Sequence, residues 1–202
     1  TSISHNLYLN NRLITDLIIP NDVTNISDGA FSGCESLTSV IISDNVKSFA
    51  SSTFADCKNV VTLVIGNGIT NIPENSFQGC EALTSITIGK NVAQIGDYVF
   101  SDGTNITEVN SLNTIPPVIS ENTFSGVTYN NATLYVPKGC RNIYWLHPYW
   151  EDFFEIKDFS TGIANPTTDN NDQTFELVEG KIRFNKEGES VYIYKVDGTI
   201  VH

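Results

Sequence analysis

Phe31, Phe54, Phe77 and Phe100 stand 23 residues apart, and Phe124 follows after one residue more. Cys34, Cys57 and Cys80 keep the same step. A fixed period of this length constrains the fold more than composition does. Each period is one supersecondary unit that cannot bury its own apolar face and must stack on its neighbour. The chain therefore reads as a solenoid before any single element is assigned.

The aliphatics hold the same register. Cys34 is followed by Leu37, Val40 and Ile42, Cys57 by Val60, Leu63 and Ile65, and Cys80 by Leu83, Ile86 and Ile88; the preceding unit supplies Ile14, Leu17 and Ile19. Alternation at Val40/Ile42, Leu63/Ile65 and Ile86/Ile88 has period two and is rich in β-branched residues, which predicts a short strand with one face inward. The triplets Pro20-Asn21-Asp22, Ser43-Asp44-Asn45, Gly66-Asn67-Gly68 and Gly89-Lys90-Asn91 come next. Each closes on a residue that tolerates positive φ, so left-handed corners are expected at Asp22, Asn45, Gly68 and Asn91. The chain re-enters the core at Val23 and Ile26, Val46 and Phe49, Ile69 and Ile72, and Val92 and Ile95. Asp28, Glu74, Asp97 and Glu121 precede the recurring Phe, and an acid there fits the start of a short helix. The expected fold class is an α/β repeat solenoid of about 23 residues per unit, each running short strand, turn, short helix.

An open stack needs caps. Near the N-terminus Tyr8 and Asn11 replace Phe and Cys, which fits either a degenerate repeat or a hairpin through Asn10-Asn11. Toward the other end Gly103 replaces Cys, Ser111 replaces an inward aliphatic, and Pro116-Pro117 interrupts the pattern. Thr133 to Val136 reads as the last strand. Beyond it Tyr144, Trp145, Tyr149, Trp150, Phe153 and Phe154 supply aromatic area for a C-terminal cap.

The pattern Ile72-x4-Phe77-x2-Cys80-x2-Leu83-x2-Ile86-x-Ile88 closely resembles the BspA-like leucine-rich repeat, also called the Treponema pallidum type. The resemblance spans roughly residues 13 to 157, and LYVPKG followed by PYW is similar to that family's usual C-terminal end. It implies a leucine-rich repeat solenoid of a secreted or cell-surface protein, as in Bacteroidetes, spirochaetes and some protists, with adhesion to host extracellular proteins as the activity. The repeat motif is specific for fold; it names no ligand.

Three segments are expected: a solenoid with its cap at 1–158, a small and polar linker at 159–174, and a small all-β module at 175–202. Within the last, Phe175 to Val178, Ile182 to Asn185, Val191 to Val196 and Thr199 to Val201 read as strands. VYIYKVDGTIV is similar to the start of a β-sandwich module that continues further, so the module reads as truncated unless its strands pack on the solenoid.

A net charge of -12, from 11 Lys and Arg against 23 Asp and Glu, repels phosphate backbones and anionic membranes, so nucleic acid is not an expected partner. No apolar run of about 18 residues is present for membrane insertion, and a signal peptide removed before this numbering is consistent with the polar opening. Cys34, Cys57 and Cys80 fall on the core side and read as buried free thiols; the role of Cys140 stays open. His5, His147 and His202 share no spacing with a nucleophile or carboxylate, so neither a catalytic residue nor a cofactor is expected. The Asp28, Glu74, Asp97, Glu121 column could hold calcium on paper, but Ser51 interrupts it and local backbone chemistry accounts for the acids; no metal is assigned.

The outward strand positions are the candidate binding surface. One column runs Asp16, Ser39, Thr62, Ser85, Glu108, and the next Ile18, Ile41, Val64, Thr87, Asn110. A β-branched stripe could dock a partner, although strand propensity would choose the same residues. The resulting reading is a non-enzymatic, protein-binding surface protein; a host matrix protein is the ligand class implied by the resemblance, and a glycan stays open. The alternative is a structural spacer that displays other modules.

Overall fold

The alternating aliphatics form strands, and stacking at a fixed period places them in one sheet. The computed structural model describes residues 6–159, 176–178 and 181–183. A hairpin of β1 (Tyr8–Leu9) and β2 (Arg12–Leu13) leads into β3 (Asp16–Ile19), β4 (Asn25–Ile26), β5 (Ser39–Ile42), β6 (Ser48–Phe49), β7 (Thr62–Ile65) and β8 (Asn71–Ile72). β9 (Ser85–Ile88), β10 (Gln94–Ile95), β11 (Glu108–Ser111), α1 (Gly126–Asn131), β12 (Thr133–Val136), α2 (Arg141–Trp145) and β13 (Glu155–Asp158) follow. Lastly β14 (Glu176–Val178) pairs antiparallel with β15 (Lys181–Arg183).

A seven-stranded sheet in the order β13-β12-β11-β9-β7-β5-β3 forms one wall. Every pairing in it is parallel, and from β3 to β11 equivalent residues of successive repeats face each other, as in Leu17↔Val40↔Leu63↔Ile86↔Val109. Two shorter parallel pairs, β4 with β6 and β8 with β10, lie across the core. The molecule is a β-solenoid: one turn of chain per repeat, with ladder hydrogen bonds running along the stack.

Between the walls sit the inward aliphatics and the Phe column. Val40, Leu63, Ile86 and Val109 have no exposed surface, and Phe54, Phe77 and Phe100 are equally enclosed. Consecutive rings stack face to face, with centroids 5.2 Å apart for Phe31–Phe54 and Phe54–Phe77, 5.8 Å for Phe77–Phe100 and 5.2 Å for Phe100–Phe124. Burial of each such side chain contributes roughly 1.5–3 kcal/mol, nearly all of it dependent on a neighbouring repeat.

The structure corrects the expected helix in each unit. Residues after Asp28, Ser51, Glu74 and Asp97 form turns, and N–H groups in these turns bond sideways: Phe31 to the carbonyl of Thr53, Phe54 to Ser76, Asp56 to Gln78, and Asn75 to Asp97. A backbone that donates to the next repeat cannot also donate four residues back. The left-handed corners also move. Positive φ occurs just ahead of the Phe at Gly29, Ser52, Asn75 and Tyr98, and again just after it at Gly33, Asp56 and Gly79, but not in the expected corner column of Asp22, Asn45, Gly68 and Asn91. At that second column the constraint is close approach. Asn45 and Asn91 donate from Nδ2 to the carbonyls of Asn21 and Asn67, and a Cβ on Gly68 would stand 2.1 Å from the Asp44 carbonyl oxygen. Among the described residues, helix is confined to α1, whose Ser125 N-cap accepts from the Thr128 N–H, and to α2.

Asn10 and Asn11 both have positive φ, 48° and 62°, and the N-terminus is the hairpin of the two readings. Leu7, Ile14 and Val23 cover the first repeat from that end. At the other end the sheet continues one strand past Thr133–Val136: β13 pairs with β12 in register Leu134↔Ile156. The cap divides its aromatics. Trp150, Tyr144 and Phe153 are buried, with Trp150 Nε1 donating to the Pro117 carbonyl at 2.7 Å, whereas Trp145, Tyr149 and Phe154 are exposed. Inward Ser111 is matched by Tyr144: the phenol donates to the Asn113 carbonyl, so the hydroxyl of Ser111, 2.6 Å away, must be the donor between the two. The expected linker from residue 160 onward and the strands at Val191–Val196 and Thr199–Val201 lie outside the described residues.

Candidate recognition surface

Parallel register turns the outward strand positions into columns. The first runs Asp16, Ser39, Thr62, Ser85, Glu108, Thr133, Glu155, and the second Ile18, Ile41, Val64, Thr87, Asn110, Tyr135, Lys157. At about 4.8 Å per strand, seven strands give a face about 29 Å long. Asp16 and Thr62 are exposed; Ser39, Ser85, Glu108, Ile18, Ile41, Val64 and Thr87 are half-buried, each flanked by its column neighbours. All nine expected residues therefore lie on one surface. Asn110 departs from the expectation of an outward, accessible position: it is on the outer side of β11 but only 6% exposed.

The face carries a gradient. Its N-terminal half has the aliphatic stripe Ile18, Ile41, Val64 beside hydroxyls, and Ser39 donates to Asp16 Oδ1 at 2.6 Å. The C-terminal half is polar and aromatic. Thr133 donates to Glu155 Oε2 at 2.7 Å, Lys157 pairs with Glu155 at 2.8 Å, and Tyr135 stacks on Phe159. The hydrogen bond from Lys157 holds the Glu155 carboxyl below its ordinary value, with the Thr133 hydroxyl adding to the effect. The same hydrogen bond raises Lys157. Sequence reasoning missed Tyr135, Glu155 and Lys157 because β12 is reached through an irregular step and β13 through the cap, where the period no longer applies.

Other candidates do not converge on chemistry. Cys34, Cys57, Cys80 and Cys140 are buried and not joined in disulfides. Burial pushes the Cys57 thiol up to about 12 and raises Cys34, Cys80 and Cys140 as well. Thiols held protonated are poor nucleophiles and poor metal ligands. Cys57 Sγ instead donates to the Phe31 carbonyl and Cys80 Sγ to that of Phe54, while Cys140 opens α2, its carbonyl accepting from Ile143 and Tyr144. Among the described residues, no three His, Cys, Asp or Glu side chains are placed to share a metal. A shallow depression of about 440 Å³ lies on the opposite wall, bordered by Asn71, Glu74, Gln94, Asp97, Val118 and Ser120. Ser120 donates to Asp97 there, and the lining of the depression carries no His, Cys, Lys or Arg. No helix among the described residues is long and apolar enough to cross a membrane.

Comparison with known proteins agrees with this architecture. No curated protein matches the chain. Among solved structures, it is similar to a leucine-rich cell surface protein from Faecalibacterium prausnitzii A2-165, with 29% identity and a TM-score of 0.55 over 69% of this chain. The match covers 35% of that protein's chain, so the present chain corresponds to about a third of it. The family model for the BspA-type leucine-rich repeat region matches residues 1–143 in 6 copies. With most of its length accounted for by those repeats, the chain belongs to the BspA-type leucine-rich repeat family.

Proposed function

We propose that this chain is a non-enzymatic binding module displayed at the cell surface or secreted, and that the outer face of its seven-stranded sheet is where a partner protein docks. The observation that carries this reading is the half-buried stripe Ile18, Ile41, Val64, aligned by strand register and bordered by the hydroxyls of Ser39 and Thr62. Aliphatics on an outward face contribute little to the core, yet side by side they form a continuous apolar strip that association can desolvate. Asp16, Ser85, Thr87 and Glu108 supply the polar rim. The membership in a repeat family and the similarity to a cell surface protein support the same class of role. Adhesion to a host matrix protein is the specific form of it.

The test is binding of the purified chain to immobilised matrix proteins, beside a glycan array, with an Ile41→Glu/Val64→Glu variant as the comparison. Saturable binding to a protein that disappears in the folded variant supports the reading. Undiminished binding by the variant moves the site off this face.

A second reading, a spacer that holds other modules apart, is favoured by one feature: many surface polar groups are already spent within the ladder, as in Ser39 to Asp16 and Ser48 to Asn25. Binding to nothing across both panels supports the spacer.

A further inference from the structure

Asn110 is the anomaly of the outer face. Its Nδ2 donates to Glu108 Oε1 at 2.6 Å, two residues earlier on β11. A carboxylate can only accept, so the amide nitrogen must face Glu108 and the amide oxygen must face away. That oxygen, Oδ1, is buried and has no hydrogen-bond donor. The residue is only 6% exposed, in a place where the four preceding members of its column are all more accessible. An unpaired buried acceptor loses its hydration without replacement, and natural proteins seldom keep one without a use.

Its surroundings define what could satisfy it. Across the ladder Asn110 faces Thr87 on one side and Tyr135 on the other, both half-buried. The acceptor is flanked by these two side chains of the outer face, which must part for a donor to reach it. Within this small area stand an acceptor lacking a donor, the Glu108 carboxylate and the Tyr135 ring. An acceptor, an anion and a π face together match a guanidinium or ammonium group, which is all donor, cationic and attracted to aromatic faces. On β13, the strand beyond β12, the one cationic group, Lys157, is already engaged by Glu155 at 2.8 Å. The chain's net charge of -12 draws cationic partners to it as a whole.

We infer that the Glu108–Asn110 pair is an anchoring point for a basic side chain, arginine above all, of the protein that binds this face. The partner's guanidinium donates to Asn110 Oδ1 and Glu108 together, while the Ile18–Ile41–Val64 stripe takes its apolar residues. This rests on the proposed docking face and adds the chemistry of the partner to it.

The experiment follows the Asn110 side-chain amide resonance of the full isotopically labelled chain during titration with three probes: the peptide acetyl-Gly-Arg-Gly-amide, the same peptide with citrulline for arginine, and maltohexaose. The expected result is a saturable shift with the arginine peptide, at least about tenfold weaker with the uncharged citrulline peptide and absent with the sugar. Glu108→Gln should weaken the arginine peptide about tenfold. Asn110→Val should abolish the effect, read on the neighbouring Tyr135 amide, while raising the melting temperature, because it deletes the unpaired acceptor. A merely structural amide would lower it. Equal response to arginine and citrulline, response to the sugar alone, or a response unaltered in Glu108→Gln overturns the proposal. Ile41→Glu/Val64→Glu leaves the pair intact, so failure of the docking face is separable: a protein ligand that loses affinity there but not in Glu108→Gln leaves the face standing and removes the anchor.

Discussion

Phe54 and Phe77, 23 positions apart in the chain, stack with their ring centroids 5.2 Å apart and their planes 3° from parallel. Phe49 meets both edge-on, at 6.3 Å and 6.0 Å. The ring of one repeat is thus the floor of the next. Replacing Phe54 with Ala should cost about 3–5 kcal/mol in unfolding free energy, because the cavity opens between two rings that backbone ladders hold in place. Phe54→Leu should cost clearly less. Urea denaturation measures both, and a loss below about 1 kcal/mol for the alanine variant would show that the stack collapses freely.

Ser111 and Tyr144 form a second test, because they replace apolar packing with a buried hydrogen-bond chain ending on the Asn113 carbonyl. Tyr144→Phe leaves two buried groups short of a partner and should destabilise by roughly 1–3 kcal/mol. A double-mutant cycle with Ser111→Ala should return a coupling energy of about 0.5 kcal/mol or more. Additive losses would mean that the two hydroxyls act independently.

The thiols make stability sensitive to alkali. Burial raises Cys57 from 9.0 to about 12, and Cys80 moves in the same direction. Above pH 9.0 the unfolded chain releases protons that the folded chain still holds, so the slope of stability against pH is negative. The thiol contribution is complete below that pH and is lost as pH rises toward about 12. Urea midpoints should fall through this window in the wild-type chain and fall less in Cys57→Ala/Cys80→Ala. An aromatic disulfide reagent should label these thiols only after unfolding; rapid labelling of the native chain would contradict their burial.

The N-terminal hairpin depends on two consecutive positive-φ residues, Asn10 and Asn11. Asn11→Ala should cost the cap about 1–2 kcal/mol, and Asn11→Gly should be tolerated. Hydrogen exchange at the Ile14 N–H, which donates to the Leu7 carbonyl at 2.8 Å, reports on the cap alone. Equal protection in all three proteins would detach the turn from cap stability.

Much of this architecture is written locally. The strands at Val40/Ile42, Leu63/Ile65 and Ile86/Ile88 and the inward Cys and Phe follow from period and alternation, both properties of nearby residues. The expected helices failed for a reason the local pattern does not contain. Asp28 and Glu74 are good helix-start residues, but the N–H groups that would begin those helices donate to the adjacent repeat. The corner assignment failed similarly: Asn45 and Asn91 suit a left-handed turn, yet their amides serve neighbouring carbonyls, and the positive φ passes to Ser52, Asn75 and Tyr98. Tyr98 in particular has no local preference that would nominate it.

The candidate surface divides along the same line. From the sequence alone come the solenoid, its register and the outward columns through Glu108, because a period repeated along the chain fixes which residues become lateral neighbours. Only the tertiary structure decided that β13 joins the sheet, that Trp150 and Tyr144 seal the core while Trp145 and Phe154 stay in solvent, and that Asn110 is buried with an unpaired oxygen. Those outcomes depend on which distant side chains fill a given volume and which hydrogen-bond partners are left over. Neither quantity is carried by the spacing of residues along a chain.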